Sequence, residues 1–273
     1  MRQPEPLSPR LQAIKDAMLW VIPVKKAADG AARASKALTD VVIVYLTWRA
    51  RLIRPRPRVV VVWPEVFSSA HYATYQTVIE TIKSELRRGD DMNPRLSNQV
   101  RTNAYSAYLP AKPAGVSNDD WAKKRWNSKD KVRVTVDTHH LHLGERKADS
   151  TVGRTGELLF AGITADAAFL LMIGDHNSFD DGAVSRPMYE KLDAKLASQG
   201  GGVAMSGPGV TLGGTQIKDT FRAIDIVKQL RARDEELDSN GHTASDRSLK
   251  LDWDDVVVVD SNGDQIARIA GLL

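Results

Sequence analysis

The sequence predicts an α+β protein in which N-terminal helices are followed by an antiparallel sheet with flanking helices. Three observations carry that expectation. Apolar residues recur at helical spacing near the N-terminus, at 72–88 and at 217–230. Between 131 and 173 the apolar residues instead alternate with polar ones or form short continuous runs bounded by turn residues. Near the C-terminus an Asn-Gly pair separates two apolar runs, a strong hairpin signal.

Ser8 before Pro9 is a good helix start, since the serine can cap and a proline at the first position loses no needed donor. Leu11, Ile14, Met18, Leu19 and Ile22 then share one face, and Pro23 ends the helix. An alanine-rich helix runs from about Lys25 to Leu38. The apolar Val41–Trp48 that follows either continues it or starts a strand. Val59–Trp63, bounded by prolines, reads as a buried strand. Tyr75, Val78, Ile79, Ile82 and Leu86 mark a helix over 72–88 that ends at Gly89. Residues 110–130 are polar, with proline and glycine, and read as a loop with a helical turn around Trp121–Trp126. Lys131–Asp137 alternates valine with polar residues as a half-buried strand would. Glu157–Ile163 and Ala167–Ile173, separated by three residues, form an antiparallel pair. Beyond them come a helix at 185–200, a glycine-rich connector at 199–214, and a helix with Ile217, Phe221, Ile224, Val227 and Leu230 as its stripe. A hairpin about Asn262-Gly263 then joins 256–259 to 265–269.

No apolar run approaches the roughly 18 residues a spanning helix needs, so a membrane is not an expected partner and the cytoplasm is the expected location. The absence of cysteine excludes disulfides, thiolate metal sites and cysteine nucleophiles. The formal charge of +4 conceals an asymmetry: residues 1–60 hold twelve Lys/Arg against four Asp/Glu, and residues 219–273 seven against twelve. Arg49, Arg51, Arg54, Arg56 and Arg58, interleaved with Pro55 and Pro57, read as an extended arm closing a basic N-terminal region at residue 58. The α+β body then runs from 59 to 273. Such an arm suits an RNA backbone, with salt-sensitive binding as its signature, or an acidic protein partner.

Four of the six histidines fall between positions 139 and 176. In an extended Thr-His-His-Leu-His-Leu segment, His140 and His142 project from one face and Leu141 and Leu143 from the other. His176 follows an apolar strand and a Gly-Asp turn at the sheet rim. Imidazoles move protons near neutral pH. A cluster of them beside Arg154 fits phosphodiester cleavage: one group takes the proton of the attacking hydroxyl, another protonates the leaving oxygen, and the guanidinium offsets phosphate charge. That chemistry calls for no cofactor.

The run His140-Leu-His142-Leu, then Glu157-Leu-Leu-Phe-Ala-Gly-Ile, then Phe169-Leu-Leu-Met-Ile-Gly-Asp-His176-Asn-Ser-Phe179 resembles the second half of RelE-superfamily RNA-cleaving toxins. Members with histidine sites carry a His-Ile motif, a Leu-Leu-Ile-Tyr strand and a Gly-x-His turn followed by Phe. The resemblance lies within 131–180. It implies His176 as chief proton-transfer residue, His140 or His142 as the second, Asp137 and Phe179 as supports for phosphate and base, and an antitoxin as partner.

Two other readings compete. His140-x-His142 with Glu145 and His176 is similar to the ligand set of cupins, which would make the site a metal centre. Alternatively the arginines and the acidic C-terminal region mediate assembly and the histidines are structural. The glycines at 200–214 lack the Gly-Lys-Ser/Thr ending of a phosphate loop. Asp252, Asp254 and Asp255 read as a solvated strand entrance, and His71 and His242 carry no assigned role.

Overall fold

The computed structural model describes residues 6–24, 27–98, 100, 114–117, 120, 133, 137–147, 151–176, 178, 216–252 and 255–269. They are α+β, divided between two compact units. One lies within Met1–Arg49 and Thr215–Leu273, the other within Ala50–Arg101 and Leu109–Gly214. The division does not fall at 58: Arg51, Arg54, Arg56 and Arg58 belong with the His-rich sheet, while Arg49 and the C-terminal region belong with the N-terminal helices. The expected loop turn at Trp121–Trp126, the helix at 185–200 and the glycine-rich connector lie outside the described residues.

In the first unit, α1 (Pro9–Val21) begins as expected, with the Leu11 amide donating to Ser8 Oγ at 3.2 Å. Helix α2 (Ala27–Ala34) leads to α3 (Leu38–Arg49), so the apolar 41–48 segment is helical. Val41, Val42, Ile43, Tyr45 and Leu46 are all buried in it, and a helix apolar almost all round has no amphipathic stripe to distinguish it from a strand. Later in the chain come α6 (Ile217–Ser239), β5 (Arg247–Asp252), β6 (Asp255–Asp260) and β7 (Gln265–Ile269), the strands forming an antiparallel sheet in the order β5-β6-β7. The expected Asn262-Gly263 hairpin joins β6 to β7.

Helix α6 occurs where its period placed it, but its buried face is Ala223, Ile226, Val227, Leu230 and Leu237, while Ile217, Phe221 and Ile224 are exposed. Arg10 settles the packing. Its buried guanidinium donates Nη1 to Asp234 at 3.0 Å and Asp238 at 2.6 Å, and Nε to the Arg247 carbonyl at 2.8 Å, tying α1 to α6 and β5. With Nη2 donating to the His242 carbonyl, two acids and two carbonyls satisfy a cation that burial would otherwise expel.

The second unit is built on a four-stranded sheet of order β1-β4-β3-β2, comprising β1 (Val59–Val62), β2 (His139–His142), β3 (Glu157–Ile163) and β4 (Ala167–Asp175). The β2–β3 and β3–β4 pairs are antiparallel, whereas β1 joins β4 in parallel, making the sheet mixed. Short α4 (Pro64–Phe67) and the longer α5 (Tyr72–Arg88) follow β1. Ile79, Ile82 and Leu86 of α5 share one core with Leu141, Leu159, Ala161 and Leu170 of the sheet. Helix α5 ends at Gly89 in the left-handed conformation at φ 83°, and a Cβ there would lie 2.5 Å from the Arg56 carbonyl carbon and the Pro57 nitrogen. Only glycine meets both demands.

The expected strand at 131–137 is corrected at both described residues. Arg133 is helical, the Asp137 amide donates to its carbonyl at 3.1 Å, and Asp137 then takes φ 56°. A left-handed residue closes a helical turn, and aspartate tolerates that conformation better than most. The strand begins two residues later, at His139.

Candidate functional site

The β2–β3 register sets His140 opposite Phe160, Leu141 opposite Leu159, and His142 opposite Leu158. Because side chains alternate, His140 and His142 share one face while Leu141 and Leu159 enter the core on the other. At the end of β4, Asp175 Oδ1 accepts the Ser178 amide at 2.8 Å, and Ser178 Oγ accepts the Asp175 amide at 2.8 Å. This reciprocal turn carries His176. Its ring centroid lies 6.2 Å from that of His140 and 6.1 Å from that of His142, with interplanar angles of 75° and 55°. Three imidazoles thus converge, graded from buried His142 through half-buried His140 to exposed His176. The fourth, His139, points with Leu141 and is buried. Burial, with Arg133 and His140 nearby, holds it well below the usual histidine range and therefore neutral.

His142 is 2% exposed. Burial first, then the charge of Arg154, then His140 and His176, bring its pKa down to about 4. Its Nδ1 accepts the Thr155 amide at 3.4 Å, and Nε2 has no hydrogen-bond partner among the described residues. A neutral imidazole accepting at Nδ1 carries its proton on Nε2. At neutral pH His142 is consequently a donor, not a base.

Arg154 is exposed, donates Nη1 to the Leu96 carbonyl at 3.2 Å, and lies near enough to His142 to repel its protonated form. Its base is set by the β2–β3 connection, which is drawn tight at Gly144, where a Cβ would lie under 3 Å from the Gly153 backbone. Arg146 of the same connection donates Nε to Glu85 at 3.0 Å, and Glu85 also accepts Nε of the buried Arg95 at 2.8 Å. The loop is thereby anchored to α5.

Asp137 sits before β2, where its carboxylate pairs with Arg133. Phe179 lies outside the described residues. The arginine arm is corrected. Arg49, Arg51 and Arg58 are buried, Arg51 at 1% exposure, and of the five only Arg54 is fully exposed. Arg58 donates Nε to the Thr164 carbonyl at 2.9 Å and Nη1 to the Arg56 carbonyl at 3.1 Å, while its amide bonds the Leu86 carbonyl at 3.0 Å. The guanidinium of Arg49 lies over the Trp48 ring at 5.7 Å. Prolines do not leave this segment free, because Ile53, Arg49, Arg51 and Arg58 are buried and the Arg58 guanidinium finds backbone acceptors at Thr164 and Arg56.

Other contacts of this sheet, with no visible signal in the sequence, include one on the face that packs against α5. Tyr75 donates its hydroxyl to Glu157 Oε2 at 2.7 Å and thereby lowers the Glu157 pKa. His71 Nδ1 lies 4.0 Å from Glu157 Oε1. Tyr75 comes from α5 and His71 from the position just before it, some eighty positions earlier in the chain, and no local pattern announces such a meeting. Thr155, likewise unremarked in the sequence, supplies the amide on His142. Among the described residues no group of three or more His, Asp or Glu side chains could hold a metal ion. No described helix is long and apolar enough to cross a membrane. No family model, curated protein or solved structure matches the chain, so the functional reading rests on this geometry.

Proposed function

We propose that the chain is a metal-independent endoribonuclease of the RelE-like toxin type. The observation that supports this reading is the convergence of His140, His142 and His176 on one face, with ring centroids about 6 Å apart and a guanidinium acting on one of them. In the reaction a ribose 2′-hydroxyl attacks the adjacent phosphorus. His140 takes the hydroxyl proton, the bond to the 5′-oxygen breaks, and protonated His176 delivers a proton to that leaving oxygen. The products are a 2′,3′-cyclic phosphate and a 5′-hydroxyl end. Exposed Arg154 offsets the charge that builds on the non-bridging oxygens, while His142, its Nε2 buried, stays a neutral ring beside His176. RNA is the partner this reading requires, an acidic antitoxin its natural inhibitor, and the cytoplasm its setting.

The test is cleavage of a defined RNA by the purified protein with and without EDTA, beside His176→Asn. The expected result is cyclic-phosphate ends, indifference to EDTA, and a loss of about 10²–10⁴-fold in the variant, the usual worth of a general acid. Full activity in the variant, or an intact RNA, would defeat the proposal. Loss of activity on chelation would transfer the site to the histidine-ligated metal reading.

A further inference from the structure

The connection between β2 and β3 contains a hydroxyl where a regular ladder would have none. Carried one step beyond His142 and Leu158, the β2–β3 register sets Leu143 opposite Glu157. These two do not bond directly. The Leu143 amide donates to Thr155 Oγ1 at 3.0 Å, and that hydroxyl donates to the Glu157 carbonyl at 2.6 Å. The side chain of Thr155 is therefore a relay across the end of the ladder, with its one donor and one strong acceptor role both used. Residue 155 is fixed to both strands at once, and its own amide reaches Nδ1 of His142 at 3.4 Å.

From this arrangement we propose that Thr155 is a positioning residue for His142: the hydroxyl relay holds the Thr155 amide against Nδ1 and so keeps the imidazole proton on Nε2. The inference rests, for its consequence in catalysis, on the RNA-cleaving function proposed above. Its structural content stands apart, because a tautomer can be read in the resting protein. Without the relay, residue 155 has no tie to either strand through its side chain, and a backbone amide at 3.4 Å is easily lost. The proton could then reside on either nitrogen, and the buried Nε2, which has no partner among the described residues, would no longer be a committed donor.

Three proteins test it: wild type, Thr155→Val, which keeps the shape and removes the hydroxyl, and Thr155→Ser, which keeps the hydroxyl. Long-range proton–nitrogen NMR spectra of the histidine rings at pH 7.5 report which nitrogen of His142 is protonated. The expectation is a single Nε2–H tautomer in wild type and Thr155→Ser, and a mixture in Thr155→Val. Cleavage of RNA should fall about tenfold or more in Thr155→Val and return to within about twofold in Thr155→Ser, the direction seen wherever a tautomer-fixing partner is removed. A wild-type His142 protonated on Nδ1, or an unchanged ring spectrum in Thr155→Val, overturns the inference. A folded wild type with the expected tautomer and no action on RNA leaves the relay in place and overturns the function instead.

Discussion

The low pKa of His142 makes stability depend on pH in a direction that can be worked out in advance. The folded protein holds this imidazole at about 4, against an ordinary 6.5 in the unfolded chain. The unfolded state therefore binds the proton more readily. The associated stability is fully present above pH 6.5 and is lost as pH falls from 6.5 toward 4. The whole interval is worth about 3 kcal/mol at 1.36 kcal/mol per unit. Arg154, which contributes to the shift, is exposed and screened by solvent, so we expect about 1–2 kcal/mol to be realised. His142→Gln removes the titration while keeping a polar side chain. Urea unfolding of both proteins at pH 7.5 and pH 4.5 should show the wild type losing about 1–2 kcal/mol more than the variant on acidification. A carbon-detected NMR titration of the His142 ring gives the pKa directly. A midpoint at 6 or above, or parallel losses in the two proteins, would refute both the burial argument and the assignment of His142 as a neutral donor.

Other expectations follow from single contacts. Gly89→Ala combines a left-handed backbone with a Cβ 2.5 Å from the 56–57 backbone, and should cost about 2 kcal/mol or more in urea unfolding. Ile82→Ala empties a fully buried position between α5 and the sheet, and should cost about 2–5 kcal/mol with unchanged far-UV circular dichroism. Arg58→Met should lower stability by about 1–3 kcal/mol, through the orphaned carbonyls of Thr164 and Arg56, and leave the salt dependence of RNA binding unaltered. Tyr75→Phe should raise the pKa of Glu157, seen by NMR titration of its carboxyl. The stability that this pairing contributes is present above the ordinary carboxyl range and fades as pH falls through it.

The histidine alternation shows how far local pattern reaches. Two imidazoles one residue apart in an extended segment must share a face, whatever the rest of the chain does, and His140 and His142 do. The same logic placed α5, the β3–β4 pair and the Asn262-Gly263 turn, each stated by residues within a few positions of one another. It failed where the period was ambiguous. Residues 41–48 are apolar almost all round, which left helix and strand both open, and the stripe expected on α6 shared only Val227 and Leu230 with the face that packing buried. It also passed over β5, whose Leu249 and Leu251 alternate with polar residues across only a few positions.

What the sequence determined by itself was the kind of element formed by stretches with a clear period, such as α1, α5 and the β3–β4 pair, because backbone sterics and hydrophobic period act over a few residues. What only the tertiary structure decided was which elements meet. His176 reaches His140 and His142 because β4 pairs with β3 and a Ser178 turn ends it. Arg58 lost its apparent freedom because the Thr164 carbonyl far along the chain accepts its guanidinium, and Arg49 and Arg51 lost theirs to burial. Those contacts join residues more than a hundred positions apart in the case of Arg58 and Thr164, and no short-range pattern encodes them.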